Sequence, residues 1–236
     1  MIYGETRKEV AAQLTGALHD HDRGTIVTRN KLTLRDWLGR WLEDYKKPSL
    51  RPVSDDSYEM LARQHLKPAL GHISLKDLRP DQVQRLDNDK REAGLSVRTI
   101  RYIHTVLHGA LKQALKNQLV VRNVSESTTL LTGKTRTMRP LTLEQVNQLL
   151  TTIKGDRLFA AILLEKGTGL RRGELLGLRW QDVDLDAEVV HIRQALVRVG
   201  NHGAIAGNRK TRLIFQEPKT DQSRRTALSL RTSLVN

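Results

Sequence analysis

The 236-residue chain contains no cysteine. Disulfides, thiolate nucleophiles and cysteine-ligated zinc are therefore excluded, and the absence fits a reducing cytoplasm. No apolar run is long enough to cross a bilayer, and the segment from Met1 to Lys8 lacks the apolar core of a signal peptide. No membrane partner is expected. Internal repeats and low-complexity tracts are missing too. Acids are few beside bases: 26 Asp and Glu against 40 Lys and Arg, a net charge of +14. That excess, clustered along the chain, points to nucleic acid as partner. The plain alternative is a basic protein that is merely well solvated. With 38% hydrophobic and 28% charged residues the chain can bury a core, as one large or two modest domains, and keeps much solvated surface.

What is present begins with helical periodicity. Residues 5–23 read as a polar helix carrying Val10, Leu14 and Leu18, stopped at Gly24 and too short to be stable alone. Residues 31–124 read as a compact helical unit. Thr33 caps a helix bearing Leu34, Trp37, Leu38, Trp41 and Tyr45, ended by Pro48 and Pro52. A second helix spans roughly 55–65, and a third carries Val83 and Leu86 and stops at Gly94. Ser96 caps a fourth. Its apolar face is Ile100, Ile103, Leu107, Ala110, Leu111, Ala114 and Leu115. Beside it run Arg98, Arg101, Thr105, His108 and Lys112, a stripe suited either to a phosphate backbone or to plain solvation. Residues 125–139 show no period and read as a linker. Thr142 and Gln145 then form a capping box, and a buried helix is expected from Phe159, ending at Gly167.

The most informative stretch runs from Gly167 to Trp180 (GTGLRRGELLGLRW). Its glycines permit a tight bend. Arg171 stands at a helix start, where free N–H groups favour phosphate, and its planar fork matches phosphate oxygens. Glu174, one turn on, can hold that guanidinium. A structural ion pair between the two is the competing reading. Arg172 and Arg179 read as solvated or scaffold residues, and Trp37, Trp41 and Trp180 as core. Asp182 and Asp184 fit a turn leading into a strand. His104 and His108 have the spacing of zinc ligands on one helix face, but no third ligand accompanies them and no metal is expected. After Asp184 the period changes. Residues 188–199, 213–217 and 224–230 read as strands, so the whole is mainly α with a small antiparallel β-sheet. From Arg209 to Arg231 seven basic residues face two acids, with Lys219 beside a hairpin tip.

Three stretches together resemble the tyrosine recombinases of phages and integrative elements. They are the Gly167–Trp180 motif with Asp182-Val183-Asp184, Pro218-Lys219-Thr220 followed by Ser223-Arg224-Arg225-Thr226, and Leu95 to His108. The Trp37/Trp41 helix and Pro68-Ala69-Leu70-Gly71 fit the same family. The resemblance implies a helical, SAM-like core-binding domain over 31–124, preceded by a linker helix within 1–30. After the 125–139 linker it implies a partial α+β catalytic domain over 140–236. It also implies a double-stranded DNA partner, further recombinase subunits in a tetramer on DNA, and site-specific recombination without metal or cofactor. In that chemistry a tyrosine attacks the scissile phosphate while arginines, histidine and a hairpin lysine assist. By position Arg171 matches the first catalytic arginine, Glu174 its acidic support and Lys219 the hairpin general acid. DNA contacts fall to Ser96, Arg98, Thr99, Arg101, Thr105, His108, Lys112, Arg224 and Arg225. The family's His-x-x-Arg box and nucleophilic tyrosine have no counterpart, since Tyr3, Tyr45, Tyr58 and Tyr102 all precede Arg171. On this reading the chain lacks both ends of a full recombinase and is inactive alone. It is otherwise part of a working enzyme completed by further chain or another subunit, or a non-catalytic DNA-binding accessory factor.

Overall fold

The computed structural model describes residues 6, 10–11, 32–133, 137–200, 211–218 and 225–228. The helix expected over 5–23 therefore lies almost wholly outside the described residues. The chain forms two compact units, 1–134 and 135–236.

The first unit is helical. Helix α1 (Leu34–Arg40) starts at Thr33, whose Oγ1 accepts the Asp36 N–H at 3.2 Å, and continues as a π-wound turn over Trp41–Lys46. Helix α2 (Pro52–Leu61) has proline at its first position, where a missing N–H costs nothing. It runs on through a π-wound Ala62–Leu66 into the short α3 (Lys67–Leu70). Helix α4 (Pro80–Glu92) precedes the long α5 (Val97–Lys116). Ser96 caps α5 by accepting the Thr99 N–H at 3.2 Å. Ile100, Ile103, Val106, Leu107 and Leu111 on α5 are buried, each contributing about 1.5–3 kcal/mol. Of these, Ile103, Val106, Leu107 and Leu111 share a core with Leu34, Trp37, Leu38, Trp41, Leu66 and Val83. Trp37 and Trp41 are core residues as expected, at 3% and 1% exposure. The Trp37 indole N–H donates to the Ala110 carbonyl at 2.9 Å, which locks α1 across α5.

The first part of the segment read as a linker is bound to this helical unit. A 3₁₀ turn at Val124–Ser127 is capped by Asn123, whose Oδ1 accepts the Ser125 N–H. Gln84 on α4 then acts like a strand edge toward Thr129. Its Oε1 accepts the Thr129 N–H at 2.8 Å and its Nε2 donates to the Thr129 carbonyl at 3.3 Å.

The second unit mixes helices and strands. Helix α6 (Leu143–Thr152) opens on the expected capping box between Thr142 and Gln145. Helix α7 (Phe159–Thr168) is only half-buried, not the buried helix expected, and it ends at Gly169 rather than at Gly167. Gly169 sits at φ +63°, a left-handed value that glycine reaches without strain. A short helix α8 (Arg172–Leu176) and a 3₁₀ turn (Trp180–Asp182) lead into β1 (Val183–Asp184).

The single strand expected over 188–199 is two: β2 (Val189–His191) and β3 (Ala195–Gly200). They lie in different sheets. One sheet has the order β1-β2-β5, with β5 at Thr226–Leu228, and the other pairs β3 with β4 (Thr211–Gln216), both antiparallel. The break has a tertiary cause. Arg193 turns toward Asp182 at 3.5 Å, and Gln194 donates from Nε2 to the Gly177 carbonyl at 2.7 Å. At Gly177, α8 meets β3 so closely that a Cβ would lie 2.8 Å from the Leu196 nitrogen.

Candidate DNA-contacting site

The second unit brings two arginines to one carboxylate. Arg171 precedes α8 in extended conformation (φ −74°, ψ 148°), and Glu174 lies a turn inside. Glu174 reaches back: Oε2 accepts the Arg171 backbone N–H at 2.9 Å, and Oε1 accepts from Arg171 Nη1 at 2.8 Å. Arg225, 51 residues on, donates Nη2 to Glu174 Oε2 at 3.1 Å, Nη1 to Oε1 at 3.5 Å and Nη2 to the Gly169 carbonyl at 3.3 Å. Burial alone would raise the Glu174 carboxyl. The Arg171 backbone N–H and the two guanidinium groups outweigh it and hold the group below its ordinary 4.5. Glu174 is therefore an anion at neutral pH.

Exposure separates the two arginines. The Glu174 side chain is 6% exposed, Arg225 32% and Arg171 70%. Arg171 is thus anchored at one terminal nitrogen and presents the remainder of its fork to solvent. The ion pair and the phosphate grip, alternatives in the sequence, are compatible here: the pair fixes the guanidinium that is displayed. Helix α8 has only five residues, and Glu174 takes the Arg171 N–H at its start.

A second latch stands beside the first. Arg179 donates Nε to Asp182 Oδ2 at 2.6 Å and Nη2 to Oδ1 at 3.1 Å, consistent with a scaffold role. The Arg179 fork holds Asp182, buried at 2% side-chain exposure, below its ordinary 3.8. Arg179, His191, Arg193, Phe215 and Arg225 line a cleft of about 650 Å³ with Glu217, the one acid among its described lining residues. Trp180, read as core, is 83% exposed. The 3₁₀ turn that swings Asp182 inward leaves Trp180 outward, and no periodicity marks so short a turn.

On α5 the expected DNA residues divide. Arg98, Arg101, Thr105 and Lys112 are exposed on the side away from the core. The Arg101 Nε donates to the Leu131 carbonyl at 3.0 Å, and Arg98 lies over the Tyr102 ring. Ser96 and Thr99 bond each other at the cap. His108 is half-buried and meets Ser125 Oγ and Asn123 Nδ2, both at 3.1 Å. His104 pairs with the buried Asp87 at 3.2 Å, an interaction that the zinc-like spacing did not foretell. Among the described residues no group of three or more His, Asp or Glu could hold a metal ion. Lys219 and Arg224 lie outside the described residues.

Comparison with known proteins agrees with this architecture. Residues 33–90 match the model of the phage integrase N-terminal SAM-like domain, and residues 139–231 match that of the phage integrase family. Together these cover well over half of the chain, which belongs to the phage integrase family of tyrosine recombinases. It is 29% identical over 232 residues to a tyrosine recombinase XerC-like protein of Caldanaerobacter subterraneus subsp. tengcongensis, covering 95% of this chain and 59% of that protein. The fold matches the Tn1549 transposon integrase solved in complex with a circular intermediate DNA. The TM-score is 0.71 at 23% identity, over 86% of this chain and 62% of that one. It also matches a lambda integrase tetramer bound to a Holliday junction, with a TM-score of 0.62 at 18% identity, over 81% and 56%. The chain spans about three fifths of the length of the first two.

Proposed function

We propose that these 236 residues bind duplex DNA as a site-specific recombinase chain of the cytoplasm, in an assembly of like subunits. Residues 31–124 would seat the duplex through Arg98, Arg101, Thr105 and Lys112, and residues 140–236 would present Arg171 to a backbone phosphate. The observation that carries this reading is the 70% exposed Arg171 guanidinium held by a buried, ionised Glu174. Preorganised cations of this kind stabilise charge that develops on a transferring phosphate. Lys219 would serve as general acid from the hairpin. Within these residues no tyrosine follows Tyr102, so the chain by itself grips the phosphate without forming a phosphotyrosyl bond.

The test uses duplexes enriched from a randomised pool. Binding should weaken linearly in log salt as counterions are released. Nicked suicide versions of the enriched duplexes should yield no covalent protein–DNA adduct on denaturing gels. An adduct from this chain would contradict the non-cleaving part. A second reading, a non-catalytic accessory factor, draws on the outward basic stripe of α5. It requires Arg171→Ala to leave binding unchanged while Arg101→Ala and Lys112→Ala weaken it.

A further inference from the structure

We infer that Arg225 is a positioning residue for Arg171 and not itself a DNA contact. The inference rests on the phosphate-gripping role proposed for Arg171. Its ground is the geometry around Glu174. Arg225 approaches both carboxylate oxygens and the Gly169 carbonyl. With those three contacts it fastens the turn before α8 to the start of β5. Its own backbone carbonyl accepts the Ile192 N–H at 2.9 Å, so the arginine is fixed at both ends. The exposure difference decides the roles: the 70% exposed Arg171 is displayed, and the 32% exposed Arg225 braces it from behind.

Two guanidiniums on one carboxylate also settle which oxygen serves which arginine. Arg225 Nη2 is the nearer side-chain donor to Glu174 Oε2, while Oε1 makes its short 2.8 Å bond to Arg171 Nη1. Without Arg225, Glu174 can rotate, and Arg171 loses a fixed aim though it keeps its charge. Contacts held to within a fraction of an ångström are what positioning residues supply. Arg225 thereby joins the start of β5 to the Arg171 turn.

The experiment is a salt titration of the whole chain on one enriched duplex, comparing wild type with Arg171→Ala, Arg225→Ala, Arg225→Lys and Arg171→Ala/Arg225→Ala. Melting curves check that each variant is folded. Arg171→Ala should reduce the magnitude of the log K–log salt slope by about 0.9, one phosphate contact. Arg225→Ala should do the same, and the double variant should bind within about twofold of Arg171→Ala, because coupled residues are not additive. Arg225→Lys is the discriminating variant and serves if the alanine variant does not fold. A lysine keeps the charge but cannot fork to Glu174 and Gly169 together. It should behave like Arg171→Ala. If Arg225→Lys keeps the wild-type slope, or the double variant loses a second 0.9, Arg225 touches DNA directly and the inference is overturned while the Arg171 reading stands. If Arg171→Ala itself leaves the slope unchanged, both fall.

Discussion

Glu174 and Asp182 are two buried carboxylates in the second unit, each facing two arginines. Both carboxyls lie lower in the folded chain than in the unfolded one. Their stabilising contribution is complete above the unfolded values of 4.5 and 3.8, and it is lost as pH falls through these toward the lower folded values. Thermal melting should be nearly level from neutral pH to about pH 5 and fall steeply below it. Glu174→Gln/Asp182→Asn should melt lower at neutral pH and show a shallower acid decline; an unchanged acid profile would show that these pairs do not govern it. Tryptophan gives a second check at this scale. Trp37 and Trp41 are buried and Trp180 is exposed. Iodide should quench one of the three tryptophans, and Trp180→Phe should abolish the quenchable fraction. The Arg171–Glu174 contact was legible because helical spacing of three places the two together. The Arg225–Glu174 contact was not legible, because the two residues lie 51 positions apart, a distance no local pattern spans. Trp180 was misplaced for a related reason: bulk argues for burial, but the turn's direction is set by the Arg179–Asp182 latch.

Among the elements, the helix starts followed their sequence signals, whereas α7 is half-buried and ends at Gly169 instead of being the buried helix expected. Ser96, Thr33 and the Thr142/Gln145 box all cap where hydroxyl and amide spacing said they would. The apolar stripe of α5 is the buried one from Ile100 to Ala114, while Leu115, expected with it, is exposed. These features are local, so a single segment contains the whole cause. The strands followed theirs less well. The β-branched run over 188–199 reads as one strand, yet it divides where Arg193 and Gln194 leave the ladder for Asp182 and Gly177. The linker is a similar case: nothing local announces that Gln84 will pair with Thr129. The contact of α8 with β3 yields a sharp expectation. A methyl group at Gly177 would meet the backbone of Ala195 and Leu196 at 2.8–3.0 Å, and backbone cannot rotate aside. Gly177→Ala should destabilise the chain by about 1–3 kcal/mol, read from denaturant unfolding. It should also weaken DNA binding as Arg171→Ala does, because α8 carries Glu174. Unchanged stability would mean that the close approach of helix and strand is not a constraint.

For the whole molecule, composition pointed to nucleic acid before any motif did, through a net charge of +14. Patterning set the order of a helical unit followed by a mixed one. Composition did not indicate how much apolar surface the second unit shows. Leu143, Leu149, Trp180 and Phe215 are all more than 40% exposed, whereas the buried hydrophobic cluster lies in the helical unit. Large apolar side chains exposed to water are candidates for interaction surfaces or association hazards. The chain should therefore bind a hydrophobic dye in its native state, and Trp180→Ser/Phe215→Ser should reduce that signal without lowering DNA affinity. Among the described residues no helix is long and apolar enough to cross a membrane. The central claim is that Arg171, steadied by Glu174, grips one backbone phosphate. It is tested most directly by replacing single phosphates of an enriched duplex with neutral methylphosphonate, one position at a time. Wild type should show a phosphate whose neutralisation weakens binding and which Arg171→Ala no longer senses, all other positions being unaffected by the substitution. If Arg171→Ala reproduces the full wild-type pattern, the account is wrong.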